Sequence, residues 1–163
     1  MKTTTEKKLD REILDLLKQS IQSDMLVSLK EDLTFADFLS NKMLIISAIR
    51  VGIPYSLFDL IRVHTPFNES DWAQILHIST KTLHRYKSSS TPFKSTQSEK
   101  IIEMSEVTKV GMDVFEDMDQ FKLWLDTPNF SLGNLKPIEL LKDSYGKELV
   151  IGELTRINYG ILV

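Results

Sequence analysis

Few residues in this chain are of a type and spacing that could carry covalent or metal chemistry. There is no cysteine, which excludes a thiolate nucleophile, thiolate-bound zinc, an iron–sulfur cluster and a disulfide scaffold. The three histidines, His64, His77 and His84, stand 13 and 7 positions apart. That is not the i, i+4 spacing that sets two imidazoles on one helix face, and no acidic co-ligands lie in register with them. Asp113, Glu116, Asp117 and Asp119 cluster without the EF-hand pattern and read as a solvated acidic helix face. The phosphate-cradling G-x-G-x-x-G and P-loop patterns are missing, as is H-E-x-x-H. No enzymatic activity, no metal and no cofactor are expected.

A different chemistry is written in the segment from Asn68 to Tyr86. Asn68 is a good helix N-cap, and Asp71 three residues on completes a capping box. Trp72, Ile75 and Leu76 form an inward stripe, and small Ala73 lets a second helix cross closely. Ile78 packs under the turn, and Ser79 caps the second helix. Leu83 and Tyr86 then face inward, three residues apart. This is the pattern of a helix-turn-helix, whose short turn usually contains glycine. His77 holds that position, and histidine is among the residues enriched at positive φ. With Leu83 and Tyr86 inward, the opposite face carries Thr80, Lys81, His84, Arg85 and Ser88, flanked by Lys87. A recognition helix presents such residues to base edges and phosphates in the major groove. Arg85 suits a guanine edge, Thr80 and His84 suit further edge contacts, and Lys81, Lys87 and Lys94 suit phosphates. Residues 79–100 hold five basic and one acidic side chain. The candidate DNA-binding residues are therefore Thr80, Lys81, His84, Arg85 and Lys87.

The elements around this segment read as helical almost throughout, an all-α helical bundle. Lys7 to Ile21 is amphipathic, with Leu9, Ile13, Leu16, Leu17 and Ile21 recurring at helical spacing. Thr34 caps a second helix whose apolar members include Phe35, Phe38, Leu39, Met43, Ile46 and Ile49, ended by Gly52 and Pro54. Tyr55 to Val63 is a short apolar helix that stops before Pro66. Ser88 to Pro92 is a loop by composition. Glu99 to Met118 is helical, and Asp119 to Leu125 forms another short helix. Trp124 and Leu125 anchor the turn-rich loop that follows, where Asn129, Gly133 and Asn134 supply positions at which positive φ is cheap. Pro137 suits a first helical turn, Gly146 ends that helix, and Lys147 to Ile157 makes the last one. The expected organisation is an N-terminal helical arm over 1–49, a helix-turn-helix region over 50–100, and a C-terminal region over 101–163.

Composition agrees with a globular chain. Of 163 residues, 42% are hydrophobic and 26% charged, which is ordinary. No run of about 18 apolar residues exists, so no membrane span is expected. The start, MKTTTEKKLD, lacks the apolar core of a signal peptide. With the absence of cysteine, a cytoplasmic location is the expectation. The net charge of −3 hides an asymmetry. Residues 62–100 hold six basic and three acidic side chains, and residues 101–163 hold six and eleven. A basic middle and an acidic last third point to different partners. The chain ends Ile161-Leu162-Val163, an apolar terminus that needs burial in its own core, in a symmetric partner or in another protein.

Five stretches together resemble the Xre/MbcA/ParS-type antitoxins of bacterial type II toxin–antitoxin modules. They are Arg50-Val-Gly-Ile-Pro-Tyr55, Trp124-Leu-x-x-Pro-Asn129, Leu132-Gly133, Pro137-x-x-Leu140-Leu141 and Arg156-Ile-x-Tyr-Gly160. The resemblance covers residues 50–163. It departs from the family at His77, in place of the turn glycine, and at Asn134, where a second glycine is common. The resemblance implies an all-α protein that forms a homodimer through its C-terminal region. It implies a RES-domain toxin as partner, an enzyme that degrades NAD⁺, and operator DNA as a second partner, through which the complex represses its own operon. It places toxin binding at Arg156, Tyr159 and Gly160 onward, hence also at Ile161, Leu162 and Val163. A stand-alone helix-turn-helix regulator without a toxin partner would need the same recognition helix but not the tail. A pure protein-interaction module would have no nucleic-acid role, and Lys81 and Arg85 would then be dispensable.

Overall fold

The computed structural model describes residues 1–20 and 29–160, so Ile21 and the Ile161–Val163 terminus lie outside the described residues. Among the described residues the chain is helical and no strand forms. A lone antiparallel bridge pairs Asn129 with Leu135. The chain divides into two compact units.

The first unit comprises Met1–Val63 and His84–Ile102. Helix α1 (Thr4–Ser20) buries Leu9, Ile13, Leu16 and Leu17, the stripe expected from its periodicity. Helix α2 (Phe35–Leu39) starts at a capping box in which Thr34 and Asp37 satisfy each other's backbone amides. The Thr34 N–H and hydroxyl both donate to the Asp37 carboxylate, at 3.0 and 2.8 Å, and hold it below the usual carboxylate range. The expected single helix from Thr34 is in fact two. Ser40 closes α2, and Asn41 restarts the chain by accepting the amides of Met43 and Leu44 at 3.1 and 3.2 Å. The restart rotates the following helix α3 (Lys42–Val51) relative to the expected phase. Leu44 and Ala48 face inward, while Met43 and Ile46 are 57% and 40% exposed. Helix α4 (Tyr55–Val63) buries Leu57, Phe58 and Ile61. Gly52 has φ +93, and a Cβ there would stand 2.6 Å from the Phe93 carbonyl. That close approach lets the Phe93 amide donate to the Ile53 carbonyl at 2.9 Å, which seats the buried Phe93 ring edge-on to Phe58.

The second unit comprises His64–Leu83 and Glu103–Val163. It contains α5 (Glu69–Ile75) and the start of α6 (Thr80–Ser88). It also holds the later part of α7 (Ser95–Phe115), then α8 (Met118–Leu125), a 3₁₀ turn over Phe130–Leu132, α9 (Pro137–Leu140) and α10 (Ser144–Asn158). Helix α7 begins four residues before the expected Glu99 and ends at Glu116, whose φ of 56° breaks the helix. Gly111 allows Phe121 to lie flat on α7, since a Cβ there would overlap the ring. Phe121, Phe115 and Trp124 form a three-ring cluster, Phe121 stacking on Phe115 and on Trp124 at centroid distances of 5.8 and 6.3 Å, with Phe115 and Trp124 also 5.8 Å apart. Pro137 occupies the first turn of α9, as expected. Gly133 and Asn134 adopt positive φ, but Asn129 does not: at φ −116 it caps the 3₁₀ turn through its side chain. Gly146 does not end a helix. It sits in the first turn of α10, where Asp143 caps its amide at 2.7 Å. It is glycine because the Leu140 backbone lies where a Cβ would be. The α7 and α10 surfaces also meet through polar pairs, with Ser144 donating to buried Glu103 at 3.1 Å and Lys147 to Glu106 at 3.3 Å.

Candidate functional site

The helix-turn-helix is built as its residues dictate. Asp71 N–H donates to Asn68 Oδ1 at 2.8 Å, and Asn68 N–H donates to Asp71 Oδ2 at 2.9 Å. Two of the orphan amides at the start of α5 are thereby satisfied. Trp72, Ala73, Ile75 and Leu76 are buried, with Phe67 edge-on to Trp72 at 5.6 Å. At the far end the His77 N–H donates to Gln74 O at 3.2 Å and the Ile78 N–H to Ala73 O at 3.0 Å. This is the paired pattern of a Schellman ending, which requires a left-handed residue where His77 stands, at φ 54. Ser79 then caps α6, its Oγ accepting the Thr82 amide at 3.0 Å.

On α6 the inward pair is Leu83, buried, and Tyr86, half-buried. The Tyr86 ring stacks on Phe93 with centroids 4.2 Å apart, and its hydroxyl donates to Gln97 Oε1 at 3.1 Å. Thr80, Lys81, His84, Arg85 and Lys87 are all exposed. Helical geometry sets Lys81, His84 and Arg85 on the side of α6 away from Leu83, whereas Thr80 and Lys87, three residues before and four after Leu83, flank its own face. Lys94 is exposed as well, on the loop after α6. Among the described residues, no group of three or more His, Asp or Glu side chains gathers as a metal site would need.

The candidate toxin-binding residues divide differently. Arg156 is half-buried on the last turn of α10, with Nη1 3.5 Å from Glu153 Oε2. Tyr159 caps the helix and is 76% exposed. Gly160 turns the chain at φ +69, its amide donating to Ile157 O at 2.9 Å. Ile161, Leu162 and Val163 lie outside the described residues. The sequence reading passed over Tyr145 and Leu149, which are 84% and 57% exposed on α10. Their i, i+4 spacing, continued by Gly152 and Tyr159 on the same side, was the available signal.

Residues 44–105 match the family model of the antitoxin Xre-like helix-turn-helix domain. Residues 111–160 match that of the antitoxin Xre/MbcA/ParS C-terminal toxin-binding domain. A curated relative, antitoxin Xre of Yersinia enterocolitica serotype O:8 / biotype 1B, is 23% identical over 123 residues, spanning 75% of this chain and 83% of that protein. Among solved structures, a chain of the M. tuberculosis MbcT-MbcA toxin-antitoxin complex superposes with a TM-score of 0.50 at 21% identity. The match covers 60% of this chain and 86% of that one. At that identity it speaks to the fold alone.

Proposed function

Because the chain belongs to the Xre/MbcA/ParS antitoxin family, with the helix-turn-helix over 44–105 and the toxin-binding domain over 111–160, we propose that it neutralises a cognate RES-domain, NAD⁺-degrading toxin. In this reading the end of α10 and the residues after it, Arg156, Tyr159, Gly160, Ile161, Leu162 and Val163, enter the toxin and obstruct its active site. The exposed face of α6, with Thr80, Lys81, His84, Arg85 and Lys87, binds the operator and represses transcription. The protein acts in the cytoplasm as a homodimer joined through the C-terminal region, over the organisation 1–49 arm, 50–100 reader and 101–163 partner region. It catalyses nothing itself.

The observation that most supports this reading is the end of α10. A large aromatic, Tyr159, stands mostly in solvent, and a left-handed glycine then redirects the chain. An exposed aromatic of that size can serve as an anchor for a partner. The acidic last third favours encounter with a basic cleft shaped for the pyrophosphate of NAD⁺.

Deletion of residues 158–163 tests the proposal. The truncated chain should lose rescue of cells expressing the cognate toxin while retaining binding to DNA upstream of its gene. Full rescue by the truncated chain refutes a tail that obstructs the toxin.

A further inference from the structure

The turn of the helix-turn-helix makes one contact that its own geometry does not require. His77 Nε2 lies 3.0 Å from the carbonyl oxygen of Lys142, 65 residues away. A carbonyl only accepts, so the Nε2–H donates and the tautomer is set. Both residues belong to the second compact unit. Lys142 immediately precedes Asp143, the N-cap of α10.

The residue type is itself informative. At φ 54 the backbone would be better served by glycine, which has no Cβ to strain there. Glycine has no side chain to reach Lys142. A histidine at this position trades backbone ease for a tie between the turn that launches α6 and the residue that launches α10.

We infer that His77 is a positioning residue that couples the two functional halves of the molecule. The start of α6, carrying Thr80 and Lys81, is held in register with the start of α10 through this one hydrogen bond. Whatever a partner does to α10 is then felt at the turn, and by thermodynamic reciprocity binding at α6 is felt at α10. The functional meaning of the tie rests on the proposed function. Its existence does not.

A double-mutant cycle read by amide hydrogen exchange on the full chain tests it. Asp143→Ala removes the acceptor of the Gly146 amide and loosens the α10 start from the far side of the tie. The reporters are the Thr82 and Leu83 amides, which bond to Ser79 Oγ and Ser79 O, each at 3.0 Å. Asp143→Ala should speed their exchange about fivefold, the effect of one ordinary hydrogen bond. In a His77→Gly background the same change should move them less than about twofold, because the tie is already gone. Asp143→Asn, which keeps an acceptor oxygen, should leave them as in the parent. If Asp143→Ala also strips protection from Val150 and Leu154, the weaker cap change Asp143→Ser replaces it. Equal acceleration with His77 and with glycine, or none in either, overturns the inference. Neither DNA nor toxin is in the sample, so failure here leaves the proposed function standing, and failure of toxin rescue leaves the tie standing.

Discussion

Asn68 and Asp71 each satisfy the other's backbone amide at the start of α5, and the Asn68 side chain is exposed. The contribution of Asn68 is therefore nearly all hydrogen bonding. Asn68→Ala should lower stability by about 1 kcal/mol, seen as a lower urea midpoint with an unchanged slope. The face of α6 proposed to read DNA supplies the functional counterpart. Lys81→Ala with Arg85→Ala should weaken binding to operator DNA, each specific base contact being worth about 1–3 kcal/mol. Both substitutions are at exposed positions, so the thermal midpoint should barely move, and a gel-shift titration separates the two effects. If DNA binding survives the double change intact, α6 is not the reader. These residues were legible in the sequence because the determinants are local. A cap and its partner lie three residues apart, and the side opposite Leu83 follows from helical pitch alone.

At the scale of the element, two glycines in helices make opposite predictions. A Cβ on Gly111 would overlap the Phe121 ring, whereas Gly152 has nothing within 4 Å. Gly111→Ala should destabilise by about 1–3 kcal/mol through overpacking, despite alanine's better helix propensity. Gly152→Ala should stabilise by about 0.5–1 kcal/mol through the same propensity, unopposed. Thermal or urea unfolding of the two variants gives the signs, and a shared sign would mean that packing does not govern the first. Elements were also where sequence reading went astray. The apolar run from Phe35 to Ile49 reads as one helix, yet Asn41 starts a second one in a different phase. Gly146 has the look of a helix stop because glycine commonly is one. Here it marks the close passage of the Leu140 backbone, a contact that no local pattern records.

For the whole molecule the governing quantities are charge and the path of the chain. The stretch around α6 is basic and the last third acidic, which sets cations at the proposed DNA-reading face and anions in the proposed partner region. Affinity for DNA should fall steeply with salt, and Lys87→Ala should reduce the slope of log K against log salt by about one. A slope unchanged by Lys87→Ala would remove that residue from the phosphate contacts. Helix type, the capping box, the left-handed histidine turn and the exposed α6 face were all written in the sequence, because each depends on residues within a turn or two of one another. The partition into compact units was not. It places α5, the turn and the start of α6 with the C-terminal region, and the rest of α6 with the N-terminal one. Nor could the sequence show that His77 reaches Lys142, or that α10 leaves Tyr145 and Leu149 in solvent. Those outcomes depend on which distant surfaces meet, and periodicity states only that a face is apolar, never what covers it.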